Sequence, residues 1–170
     1  VYRLLKPLVY LLLKNGIPVH WAIRSYKNYD EIDFTCTSTK DIRTDTPYTN
    51  PSYGAGPFII AASNSTAAQT VIDAWNAGQT TYVVNVHQYT DTMNPFTAPI
   101  YRKLRAAPAI ALFHNSDRRD TWTGARNYLN SAAIRDSNGN NFPSNSPDVL
   151  DEDEIAGPST ADHHDGALFD

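Results

Sequence analysis

Three times along this chain a helical pattern is followed by a short apolar strand pattern, and the first of these pairs opens with the helix. Residues 4–14 carry Leu4, Leu5, Leu8, Leu11 and Leu12 on one helical face, and Asn15-Gly16 closes the segment. Gly16 fits a helix C-cap, and Lys14 suits the negative end of the helix dipole. Pro7 is tolerable only in the first turns. The apolar run 17–23 then reads as a buried strand. Residues 65–75 with 81–87, and 99–105 with 109–114, repeat the sequence of patterns. Alternating helices and apolar strands predict an α/β fold of three layers, with a mostly parallel sheet of four or more strands and helices on both faces. Such a sheet normally opens with a strand, so the expected fold lacks its first one.

The predicted core is Leu8, Leu12, Val19, Trp21, Ile59, Val71, Trp75, Val84, Val86, Ile110 and Leu112. Residues 24–57, rich in Thr, Asp, Pro and Tyr, read as one long irregular stretch, a type of segment that usually carries function or a partner contact. Gly56-Pro57 ends it, and residues 58–62 read as the next strand. Ser63 or Asn64 is placed to cap the second helix, whose stripe is Ala67, Ala68, Val71, Ile72 and Trp75. A last amphipathic helix is expected over 123–134, packing through Ala125, Tyr128, Leu129 and Ala132. The organisation is then an α/β domain over 1–135 and an acidic, Asn/Asp/Pro-rich irregular segment over 136–170.

With 170 residues and 41% hydrophobic content the chain has enough apolar material for one sizeable core. The net charge of -4 is spread without a long basic run, which argues against nucleic-acid binding through a phosphate footprint. No apolar stretch nears the roughly 20 residues that span a bilayer. Polar residues lean to Asn, Asp, Ser and Thr rather than Lys and Glu, a bias that points to an extracellular or cell-surface setting. Cys36 is the only cysteine and reads as a buried thiol or as a crosslink to another chain. The chain opens on Val1, which fits either processing of a precursor or the point at which the observed chain begins.

The segments 15–23 (Asn-Gly-Ile-Pro-Val-His-Trp-Ala-Ile), 56–60 (Gly-Pro-Phe-Ile-Ile) and 108–113 (Pro-Ala-Ile-Ala-Leu-Phe) resemble a group of secreted bacterial proteins. In that group a glutamine-amidotransferase-like, flavodoxin-like α/β domain sits within long surface proteins. The resemblance covers about residues 1–135 and implies a strand ahead of the first helix and further chain beyond Asp170. Amidotransferase-like enzymes hold their cysteine on a tight Gly-flanked elbow. Cys36 lies in Phe34-Thr35-Cys36-Thr37 without a flanking glycine, so the activity does not carry over.

In an open parallel sheet, ligands gather beyond the carboxyl ends of the strands. That rule singles out Arg24, Tyr26, Ser63, Asn64, His87, Gln88, His114, Asn115 and Asp117. His87 and His114 follow consecutive expected strands and are placed to face one crevice as base or metal ligands, with Asp91 or Asp117 as a third group. Equally, each histidine can simply bond a loop at its strand end. Asp136, Asn138 and Asn140 alternate around Gly139 like the first half of a calcium loop, and an Asn-Gly turn explains the same residues. Pro147 stands where an EF-hand needs glutamate. His163-His164 reads as a solvated or partner-facing tail, and Asn64-Ser65-Thr66 matches a glycosylation acceptor at the place of a helix cap.

Two functions fit these features. One is a non-catalytic structural or binding component of an extracellular bacterial assembly, with other protein chains, the same or from a processed precursor, held through the sheet edge, the first helix and the Tyr-rich stretch 48–53. The other is a hydrolase or amidotransferase-like enzyme using His87, His114 and Asp117. No cofactor is called for beyond a calcium ion at residues 136–140.

Overall fold

The computed structural model describes residues 2–28, 30–78, 83–113, 119–132, 134–136, 138–142 and 148–150. They fall into two compact units, Val1–Ala107 and Pro108–Asp170.

The first unit opens with α1, Tyr2–Lys14, whose inward stripe of Leu8, Val9, Leu12 and Leu13 is buried. Gly16, at φ +71°, ends it. The Ile17 N–H donates to the Leu12 carbonyl and the Gly16 N–H to that of Leu13, a pair of bonds that satisfies the last carbonyls and needs the left-handed residue between them. The chain then turns into β1, Val19–Ala22. After a 3₁₀ turn at Ala62–Asn64 comes α2, Ser65–Ala77, which buries Ala68, Ile72 and Trp75. Asn64 stands at the N-cap of α2, but its side chain makes no capping bond. Helices α1 and α2 share one core with Ile17 and Val19, fringed by Phe58, Ile60, Val71, Val84, Val86 and Leu104. Each fully buried Leu or Ile contributes about 1.5–3 kcal/mol of transfer free energy.

The sheets differ from the expected parallel, flavodoxin-like arrangement. β1 lies at the centre of a three-stranded sheet between β6, Phe58–Ile59, and β8, Ile100–Leu104, and both neighbours run antiparallel to it. Both sides of β1 are therefore occupied by antiparallel neighbours. β8 falls in the stretch 99–105 that the periodicity predicts as a helix. A helix that short leaves most of its N–H groups without internal partners, whereas pairing with β1 satisfies the same backbone and suits the β-forming Ile100 and Tyr101.

The stretch 24–57 is likewise built rather than irregular. It holds β2, Ile32–Thr35, β3, Ser38–Asp41, β4, Pro47–Thr49, and β5, Ser52–Gly54. β2 pairs with β5 and β3 with β4, both antiparallel, with Thr35 opposite Ser52 and Ser38 opposite Thr49. Where the strands pause, the Cys36 N–H bonds the Pro51 carbonyl and the Asn50 N–H bonds that of Thr37. The four short strands are thus one two-stranded ribbon, turning at 42–46 with Asp45 at φ +58°. β7, His87–Tyr89, adds antiparallel to the free side of β3.

In the second unit, β9, Leu112–Phe113, and β10, Val149–Leu150, form a two-residue parallel pair, beside α3, Arg119–Ser131. Leu112, Leu129, Ala132, Ile134, Phe142 and Val149 are buried. Tyr128 and Ala125, expected on the packing face of this helix, are exposed. The described residues form a mixed fold of small, mostly antiparallel sheets with three α-helices. No helix among the described residues is long and apolar enough to cross a membrane.

Candidate functional site

Antiparallel sheets have no common carboxyl edge, so the strand-end rule no longer gathers its residues in one place. Ser63 and Asn64 sit in the 3₁₀ turn before α2. Tyr26 projects into solvent from a loop residue at φ +57°. His114, Asn115 and Asp117 lie outside the described residues, as do His163 and His164.

His87 does stand at a built constellation. It starts β7 directly opposite Asp41 on β3. Its Nδ1 is 2.9 Å from the Tyr53 hydroxyl, which also shares a 2.9 Å hydrogen bond with Thr39 Oγ1. The Tyr48 ring stacks on the imidazole at 4.9 Å and 11°, and the Tyr53 ring meets it edge-on at 5.7 Å. Asp41 Oδ2 lies 3.9 Å from His87 Nε2, near enough for charge attraction but too far for a hydrogen bond. The other oxygen, Oδ1, accepts the N–H groups of Arg43 and Thr44. The Thr44 N–H is the main reason that the Asp41 carboxyl titrates below its ordinary range; burial opposes the shift, while the Arg43 N–H and the nearby His87 and Arg43 charges add to it. Burial pushes the Tyr53 phenol up despite its bond to Thr39, with the Cys36 thiol and Tyr48 adding to the rise. Cys36 is a buried free thiol whose pKa burial also raises.

The ring contacts run on from this point. Tyr53 stacks on Phe34, Phe34 on Phe96, and Phe96 meets Tyr89 edge-on, which carries aromatic contact from the ribbon to β7. The Tyr89 hydroxyl donates to the Asn94 carbonyl and shares a hydrogen bond with Thr37. Asp91, considered as a third ligand beside the histidines, instead accepts the Thr37 hydroxyl and the Met93 and Asn94 N–H groups. The Thr37 bond is the largest of the influences that lower its carboxyl pKa.

A second polar centre fixes the root of the ribbon. Asp33, on β2 and with its side chain fully buried, accepts the Arg24 N–H at 2.8 Å, the Gly56 N–H at 2.8 Å and Lys27 Nζ at 2.9 Å. Burial alone would push this carboxyl up, but the two N–H groups and Lys27 outweigh it and hold it below the ordinary range. Arg24, predicted as a strand-end ligand, pairs with Glu31 at 2.9 Å. A shallow open groove of about 580 Å³, lined by Arg24, Asp30, Glu31, Ile32 and Asp33, lies at this centre.

The Asp136 turn is closed from within. Asn140 N–H donates to Asp136 Oδ1 at 2.7 Å, the Asp136 N–H to the Asn140 carbonyl, and Gly139 N–H, at φ +81°, to the Asp136 carbonyl. Asp136 is buried, while Asn138 and Asn140 are exposed. Among the described residues no group of three or more His, Cys, Asp or Glu is arranged to hold a metal ion.

The sequence singled out His87, but as the carboxyl end of a strand over 81–87, whereas it opens β7; its partners Asp41, Tyr48 and Tyr53 were not singled out with it. The signal for Asp41 lay in the polar alternation of Ser38-Thr39-Lys40-Asp41, whose second and fourth residues are the buried ones. Compared with models of protein families, with curated proteins and with solved structures, the chain finds no match.

Proposed function

We propose that this chain is a non-catalytic structural or binding component of an extracellular bacterial assembly. The observation that carries the reading is the way His87 is used. One ring nitrogen is joined to Tyr53, the other faces a buried carboxylate, and a tyrosine covers the ring face. A nucleophile or general base needs an activated group within reach of a substrate atom. Here the phenol is pushed away from ionisation, and the groove described above is lined by Arg24 and Asp33, not by His87. The constellation instead joins β3, β4, β5 and β7. The Asn/Asp/Ser/Thr-rich composition supports the extracellular setting.

Replacing His87 by Ala tests the reading. The expected result is a lower unfolding midpoint with no hydrolytic activity to lose, measured on p-nitrophenyl acetate and simple amide substrates. Turnover by the unaltered chain that vanishes in His87→Ala while the unfolding midpoint stays in place would refute it in favour of a hydrolase.

A further inference from the structure

The sheet built on β1 ends at β8, whose inner side is paired and whose outer side carries no strand among the described residues. Ile100 is 45% exposed and Tyr101 53% exposed, and Arg102 and Lys103 are exposed with Arg105 just beyond. Three cations and no carboxylate thus occupy six successive residues of a chain whose net charge is -4. The Tyr101 ring meets Trp21 of β1 edge-on at 5.6 Å, and the Arg102 guanidinium sits 5.0 Å from the Tyr101 ring. Trp, Tyr and Arg are the residues most enriched where binding energy concentrates.

Lysines on an edge often serve only to repel other strands. Repulsion alone does not call for Ile100 and Tyr101 half exposed beside the charges, nor for a Trp-Tyr-Arg strip across two strands. We propose that β8 is a docking edge for an extended acidic segment of another protein chain. The added strand takes its main-chain hydrogen bonds from β8, and Arg102, Lys103 and Arg105 select for carboxylates on it. This rests on reading the chain as a binding component and names the kind of partner it binds.

The test titrates the full chain, labelled with ¹⁵N, with a seven-residue peptide alternating Glu and Val, and with its Lys/Val counterpart. The expected result is saturable binding of the acidic peptide, with amide shifts centred on residues 100–104. Added salt should weaken it, because the charges are exposed. Both the lysine peptide and the Arg102→Glu/Lys103→Glu variant should bind at least about tenfold more weakly, a loss of about 1.4 kcal/mol. Arg102→Gln/Lys103→Gln replaces the reversed pair if that variant does not fold. The proposal fails if the acidic peptide does not bind, if both peptides bind alike, or if the shifts lie elsewhere. Sedimentation adds a further arm: self-association lost in the variant identifies a second copy as the strand donor and supports the docking edge, whereas self-association that survives in the variant counts against it. If peptide binding fails while His87→Ala behaves as a structural variant, the edge alone is overturned and the non-catalytic reading stands.

Discussion

Replacing Asp33 by Asn should be among the most damaging single changes available to the first unit. The Asp33 side chain is 0% exposed and the Lys27 side chain 8%, so their 2.9 Å contact is a buried ion pair. Taking one partner from such a pair costs about 3–5 kcal/mol, because the Lys27 charge then stays buried with the Glu31 carbonyl but no counter-charge. The amide keeps one oxygen, yet Asp33 serves two backbone donors from different loops, Arg24 N–H and Gly56 N–H. One of them would then face an NH₂ group, and an unsatisfied buried donor costs about 1–3 kcal/mol. The two penalties share the same atoms and do not add, so the expected loss is about 3–5 kcal/mol in all. Urea unfolding followed by tryptophan fluorescence measures it, since the Trp21 indole N–H is bonded to the Gly56 carbonyl at the same place. The loss should depend on pH with a fixed sign. The folded carboxyl is held below its ordinary range, so its stabilisation is complete above the unfolded value of about 3.9 and disappears as pH falls through the folded one. The gap between the unaltered chain and Asp33→Asn should therefore narrow at about pH 3. A loss under about 1 kcal/mol at pH 7, or a gap that is the same at both pH values, contradicts the buried-pair argument.

Two further substitutions probe single contacts. Gly56 sits at φ +71°, and a Cβ there would lie 2.7 Å from Trp21 Nε1; Gly56→Ala should cost about 2–3 kcal/mol from the left-handed backbone and the disturbed indole bond, with a shift in Trp21 emission. The Trp75 indole N–H is buried without a hydrogen-bond partner among the described residues. Trp75→Phe should change the unfolding free energy by no more than about 1 kcal/mol, whereas Trp75→Ala should lose about 3–5, and equal losses in the two variants would show that the nitrogen is engaged after all.

The parts of this fold that could be read in the sequence are those where hydrophobic spacing and backbone need agree. Leu8 and Leu12 of α1, its end at Gly16, Ala68, Ile72 and Trp75 of α2, and the burial of Val19 and Leu112 follow from periodicity and turn chemistry, whereas Leu11 is only half-buried, Ala67 is exposed, and Val9 and Leu13 join the buried face of α1 unexpectedly. Strand direction did not follow. Apolar runs such as 17–23 and 58–62 suit strands covered on both faces, but Trp21, Ile59 and Ile60 are only half-buried in a small antiparallel sheet. The ribbon of 32–54 was hidden because its inward residues, Asp33, Thr39 and Asp41, are polar and meet hydrogen-bonding partners rather than an apolar core. His87 was found by a rule for parallel sheets that does not govern here. Its real neighbours come from Tyr48 and Tyr53, a pairing that only the folded ribbon creates.

The pairing of β1 bears on how the chain acquires its structure during synthesis. The ribbon of 32–54 is a local hairpin, of a kind that closes in about 1–10 µs. β1 is different, because Val19 finds its partner only at Leu104. At a synthesis rate of about 5–20 residues per second, the nascent chain waits roughly 4–17 s between the emergence of one and of the other. Throughout that interval the Leu8, Leu12, Leu13 and Ile17 side chains are already outside the ribosome, while the sheet beside them is incomplete. Long-range pairing of this sort also slows folding once the chain is whole, since a large loop must close before its contacts are gained. The order of the strands along the chain thus sets a window of about 4–17 s in which these apolar side chains are made but the sheet that flanks them is not yet complete.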